Sequence, residues 1–97
     1  MGILEPQRLW MMLNELAGRL GVQVRLERLE DGEGFAVRGG LCRVGGQPVA
    51  IVDQRLAPAG RARQLAAALA GLELEGVSMV PALREFIRQQ QPGSNLE

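Results

Sequence analysis

The side chains with most to offer chemistry are one thiol, Cys42, the carboxylates Asp53, Glu73 and Glu75, and a set of arginines. No His, Lys or Tyr occurs. Without imidazole, neither a Ser-His-Asp nor a Cys-His nucleophile pair can be assembled. A zinc site built on imidazole is impossible, and one thiol cannot replace it. Without an amine there is no Schiff base, and no phosphate loop ending in Gly-Lys-Ser/Thr. Cys42 beside Arg43 has one route to reactivity, because a neighbouring cation favours thiolate; a Cys on a strand is otherwise a small buried apolar residue. Glu73 and Glu75 stand close together, with Asp53 upstream. Paired carboxylates work as acid and base when a cleft holds them, and a solvated rim accounts for them equally well. Arg25, Arg28, Arg38 and Arg43 fall where they could share a sheet face and hold a small anion. The alternative is that they cover the solvent side and pair with Glu27, Glu30 and Glu33, which adds little stability. Residues 32–46 are glycine-rich but contain no G-x-G-x-x-G opening a helix, so hairpin turns and bulges explain them. The expectation is no enzyme, no cofactor and no metal.

These residues are positioned by an alternation of helix and strand signals. Leu9, Met12, Leu13, Leu16, Ala17 and Leu20 recur at three- and four-residue steps, predicting a helix from about Glu5 to Leu20. Pro6 suits its first turn and Gly21 its stop. Leu9-Trp10-Met11-Met12 makes the first half of that helix apolar on several sides, more than one core can cover. Val22 to Glu27 alternates with period two, a half-buried strand. Phe35 to Val44 reads as a strand interrupted at Gly39-Gly40. Gly45-Gly46 is a hairpin turn signal into Val49 to Val52, which is apolar on both faces. A second helix runs from about Pro58 to Ala70 with Ala62, Leu65, Ala66 and Leu69 as its buried stripe. A third starts near Pro81 and turns Leu83, Phe86 and Ile87 inward. Residues 1–90 form one domain, and residues 91–97 read as a disordered tail ending in a cloning remnant, Leu96-Glu97.

Composition narrows the class. A chain of 97 residues holds one modest core, and 46% hydrophobic residues is too rich for disorder. One Trp and two Phe leave that core to Leu, Val, Ile and Ala. Eleven basic residues balance eleven acidic ones, so the surplus positive charge of a nucleic-acid binder is missing. Every basic residue is Arg, which fits a GC-rich bacterial genome. No apolar run reaches the roughly 18 residues of a membrane span, and the N-terminus lacks the pattern of a signal peptide. One cysteine forms no internal disulfide, and a reducing cytoplasm fits.

Residues 46–58, Gly-Gln-Pro-Val-Ala-Ile-Val-Asp-Gln-Arg-Leu-Ala-Pro, follow a helix and a glycine-containing hairpin and precede Leu65-Ala66-Ala67-Ala68-Leu69-Ala70-Gly71. This order resembles the front half of the ImmA/IrrE-type zinc metallopeptidases. There the corresponding helix carries A-H-E-L-G-H. At the matching positions the metal-binding His is replaced by Ala67, the general-base Glu by Ala68 and the second His by Gly71. The resemblance implies a zincin-like layout, a three-stranded sheet with a helix on either side, without the activity. Gly39 to Arg43, Leu74 to Val77 and Pro81 to Glu85 also look like an uncharacterised family of small bacterial proteins, which implies no activity.

The sequence thus predicts an α+β domain: a three-stranded, mainly antiparallel sheet packed with helices in the order helix, three strands, two helices. The expected core is Leu13, Leu16, Leu20, Val22, Val24, Leu26, Val49, Ile51, Leu65, Leu69 and Phe86. The expected role is noncatalytic: a protein–protein interaction domain, as a homodimer or a small subunit of a bacterial complex, working through Leu9, Trp10, Met11 and Met12. Trp and Met are favoured at interface centres. The alternative is a binder of a small anionic ligand through Arg25, Arg38 and Arg43. No nucleic acid and no membrane is expected as a partner.

Overall fold

A computed structural model describes residues 5–28 and 40–91. Proline starts each helix in them: Pro6 opens α1 (Pro6–Arg19), Pro58 opens α2 (Pro58–Leu69) and Pro81 opens α3 (Pro81–Gln89). At the first helical position a proline forfeits no hydrogen bond, and its fixed φ is already helical. Glu5 caps α1, its Oε1 accepting the Arg8 backbone N–H at 3.0 Å. The other end of α1 closes as a Schellman motif. Gly21 takes φ +77°. Its N–H donates to the Gly18 carbonyl at 3.2 Å, and the Val22 N–H donates to Ala17 at 2.9 Å. Val22 and Ala17 are both buried. The motif therefore turns the chain from helix to strand and seals the corner with one apolar contact.

The strands are β1 (Gln23–Glu27), β2 (Leu41–Val44) and β3 (Gln47–Asp53), in the spatial order β1-β3-β2. Gly45 and Gly46 join β2 to β3 with φ of +59° and +85°. Two successive positive φ values define the type I′ turn that matches the twist of a hairpin. Pro48 stands opposite Arg43, while the register with β1 begins one residue later, at Gln23 opposite Val49. The missing N–H of Pro48 thus costs the central strand no bond on that side.

The sheet is mixed rather than mainly antiparallel: β2 runs antiparallel to β3, and β1 runs parallel to it. The central place goes to the strand that can be buried on both faces, as the apolar run from Val49 to Val52 foretold. The hairpin fixes β2 on one side, which leaves the other side to β1. The chain consequently leaves β1 at one edge and re-enters the described residues at Gly40, beside the opposite edge. The expected strand over residues 35–39, like the tail from 92 on, lies outside the described residues.

Ala50 and Val52 point into one buried cluster with Leu9, Leu13, Leu16 and Ala17 of α1, the Ala/Leu stripe of α2, and Leu83 and Ile87 of α3. The described helices thus join one cluster with Ala50 and Val52. Six expected core residues are buried: Leu13, Leu16, Val22, Val49, Leu65 and Leu69. Leu20, Val24 and Phe86 are half-buried against the cluster, and Ile51 is half-buried on the far face beside Arg25. Leu26 keeps 42% of its surface exposed. It lies in a strand that has a described neighbour on one side only.

Two glycines in one helix end give opposite expectations. Gly18→Ala should stabilise the protein by about 0.5–1 kcal/mol, because an added Cβ meets nothing within 4 Å. Gly21→Ala should destabilise it by about 1–2 kcal/mol, because φ +77° is hostile to a side chain. Urea unfolding of both variants measures the two signs.

Candidate interaction surface

α1 divides the four residues of the expected interface between two environments. Leu9 is buried in the core, 4% exposed, and is therefore unavailable to a partner. Trp10 is half-buried, and its ring faces the Arg61 guanidinium, whose Cζ lies 5.8 Å from the centroid. Arg61 also donates from Nη2 to the Gln54 carbonyl at 2.7 Å, while its buried Nε has no hydrogen-bond partner. Met12 is half-buried against the core cluster. Met11 alone stands out, 60% exposed. A turn of 100° per residue explains the division: Leu9, Leu13 and Leu16 follow the inner face, and Met11 falls across the helix from it.

Around Met11 lies a depression of about 600 Å³ lined by Glu5, Gln7, Arg8, Met11, Met12 and Glu15. Its lining combines two thioethers with charges of both signs. Among the described residues Arg8 and Glu15 belong to no ion pair and make no side-chain hydrogen bond. The spacing Arg8, Met11, Met12, Glu15 follows i, i+3, i+4, i+7, so the charges that flank the apolar run are readable in the sequence.

Of the three arginines expected to hold an anion, Arg25 and Arg43 do not share a face. Arg25 pairs in register with Ile51 and Arg43 with Pro48, positions of opposite parity on β3. Successive strand residues point to opposite faces, so the two guanidiniums lie on opposite sides of the sheet. Arg25 is bound to Glu27 at 3.2 Å, and Arg43 donates to the Gly46 carbonyl at 2.8 Å. Arg38 lies outside the described residues. The same alternation separates Cys42 from the Arg43 side chain. Cys42 is exposed, which sets aside its reading as a buried apolar residue.

Glu73 and Glu75 do come together, in a groove of about 460 Å³ between the turn after α2 and α3 that Arg84 and Arg88 also line. Asp53 is elsewhere. Its carboxylate accepts from the Arg55 backbone N–H at 3.0 Å and from the guanidinium at 3.1 Å, which closes the turn after β3. The groove's cations are committed to structure. Arg84 donates to the carbonyls of Leu74 and Val77 and so pins the connection to α3. Arg88 grips Glu85 at 2.8 Å. That hydrogen bond, aided by the charge of Arg88, holds the Glu85 carboxyl below its ordinary range and raises Arg88 in turn. Ala67 and Ala68, aligned with the metallopeptidase His and Glu, sit half-buried and buried in α2, and Gly71 lies beyond its end. Among the described residues no group of three or more His, Cys, Asp or Glu could hold a metal ion, and no helix is long and apolar enough to cross a membrane.

Comparison of the chain with protein-family models, with curated proteins and with solved structures gave no match.

The groove yields two measurements. In an NMR titration Glu85 should titrate below a free glutamate, and Arg88→Ala should return it to the ordinary value. Because the folded pKa is the depressed one, the pair's contribution is present above the unfolded pKa and is lost as pH falls through the folded one. Arg84→Ala should release the connection: the Val77 amide, which donates to Leu74 at 3.1 Å, should exchange about tenfold faster.

Proposed function

We propose that this protein is a noncatalytic protein–protein interaction domain that presents the outer face of α1. The observation that carries the reading is Met11, 60% exposed in a depression lined by both thioethers and charged side chains. Single exposed apolar residues are common on surfaces. Met11 differs in sharing its depression with Met12 and with Arg8 and Glu15, which brings apolar and charged side chains together as interfaces do. Methionine suits such a centre because its unbranched thioether adapts to the surface it meets. The available chemistry supports a binding role too, since the chain offers no imidazole, amine or phenol to a reaction.

The anion-binding alternative draws less support, since Arg25 and Arg43 lie on opposite faces.

Affinity capture with the tagged full chain, run beside a Met11→Glu bait, tests the reading. A stoichiometric companion should be retained by the wild type and reduced tenfold or more by Met11→Glu, a loss of at least about 1.4 kcal/mol. The substitution should leave folding stability within about 0.5 kcal/mol of wild type, since the site is exposed. A companion that ignores Met11→Glu would place the interface elsewhere and overturn the assignment.

A further inference from the structure

We propose that the partner of this face is a second copy of the chain, docked by antiparallel packing of α1 on α1 across a two-fold axis. The inference rests on the interaction reading of α1 and adds the identity and geometry of the partner. Arg8, Met11, Met12 and Glu15 are spaced i, i+3, i+4, i+7 and line one depression on one side of the helix. Along that stripe the order is cation, thioether, thioether, anion.

A two-fold axis brings residue i of one copy against residue j of the other, and j against i. With the axis crossing between Met11 and Met12, Arg8 opposes Glu15 of the second copy and Glu15 opposes its Arg8. Met11 and Met12 then meet their counterparts at the centre. The stripe is self-complementary in this arrangement alone. A parallel pairing would set like charge against like.

The spacing also explains why the charges are unused in one copy. Seven residues along a helix are about 10.5 Å, too far for Arg8 and Glu15 to meet within α1. Three carboxylates of the described residues find guanidiniums, Glu27 with Arg25, Asp53 with Arg55 and Glu85 with Arg88, while Glu5, Glu15, Glu73 and Glu75 do not. Among the described residues Arg8 and Glu15 have no ion-pair partner, and the second copy supplies both.

Sedimentation velocity of the full chain from about 5 to about 500 µM covers the range where a micromolar homodimer forms and dissociates. The expected result is a concentration-dependent dimer. Arg8→Glu and Glu15→Arg should each weaken it about tenfold or more. The double reversal, Arg8→Glu with Glu15→Arg, should restore it to within about threefold of wild type, because both ion pairs re-form with their signs exchanged. Circular dichroism melting of each variant shows that the chain is folded, and the restored double variant excludes simple damage to α1. A dimer indifferent to both single reversals would overturn the inference, as would a monomer at every concentration. If that monomer still captures a different protein in a Met11-dependent way, the second copy is refuted and the interaction reading stands. If it captures none, both fall. A monomer that dimerises only after removal of residues 1–4 would identify the chain's own N-terminal segment as the occupant, and refutes the dimer of the full chain.

Discussion

The contact between α2 and β3 governs the rest of the structure, and it is a contact between small side chains. Ala62 and Ala66 lie fully buried one turn apart, Ala50 is fully buried on the strand, and Leu65 and Leu69 fill the space beside them. With so little volume at the centre, the helix can lie close to the sheet, and dense packing has to come from fit rather than from bulk. A chain with one Trp and two Phe has few large rings with which to fill a gap. Each buried Leu contributes about 1.5–3 kcal/mol of transfer free energy, so Leu13, Leu16, Leu65 and Leu69 are the principal hydrophobic anchors. β3 must be central for this arrangement to work. It alone carries apolar residues at consecutive positions from Val49 to Val52, and the edges fall to the shorter, more polar β1 and β2.

Arginine performs the tasks that loops and caps leave undone. The connection from α2 to α3 has little regular structure, yet Arg19 reaches its Ser78 carbonyl at 2.6 Å, and Arg84 takes two more carbonyls from the other side. Arg61 bridges the Gln54 carbonyl and the Trp10 ring. A planar fork of five donors meets two acceptors at once, which a lysine ammonium does less well. The total absence of lysine therefore has structural use whatever its compositional origin. Arg19, Arg43, Arg61 and Arg84 spend donors on backbone carbonyls in this way.

α1 carries two separate codes on one helix. Its inner face, Leu9, Leu13, Leu16 and Ala17, is written in residues that the core needs. Its outer face, Arg8, Met11, Met12 and Glu15, contributes little to that core beyond the half-buried Met12. Helical periodicity keeps the codes apart, so the outer face is free to change without loss of the fold. That independence suits a surface shaped by a partner rather than by folding.

Much of the architecture was legible residue by residue. Pro6, Pro58 and Pro81 marked helix starts, Gly21 a helix stop, Gly45-Gly46 a type I′ hairpin, and the Ala/Leu stripe of α2 its buried side. These are local constraints: a fixed φ, a positive φ or a helical period acts within a few residues, and sequence order exposes it. What only the tertiary structure decided was which strands became neighbours and which side each residue faced as a result. β1 and β3 are separated by a hairpin in sequence and join in parallel in space, and no local signal encodes that pairing. From it follows the register that sends Arg25 and Arg43 to opposite faces and leaves Leu26 at an edge. The division of Leu9-Trp10-Met11-Met12 lies between these cases. The sequence showed that one core could not cover all four, while the placement of α2, with Arg61 over Trp10, determined that Met11 would be the residue left in water.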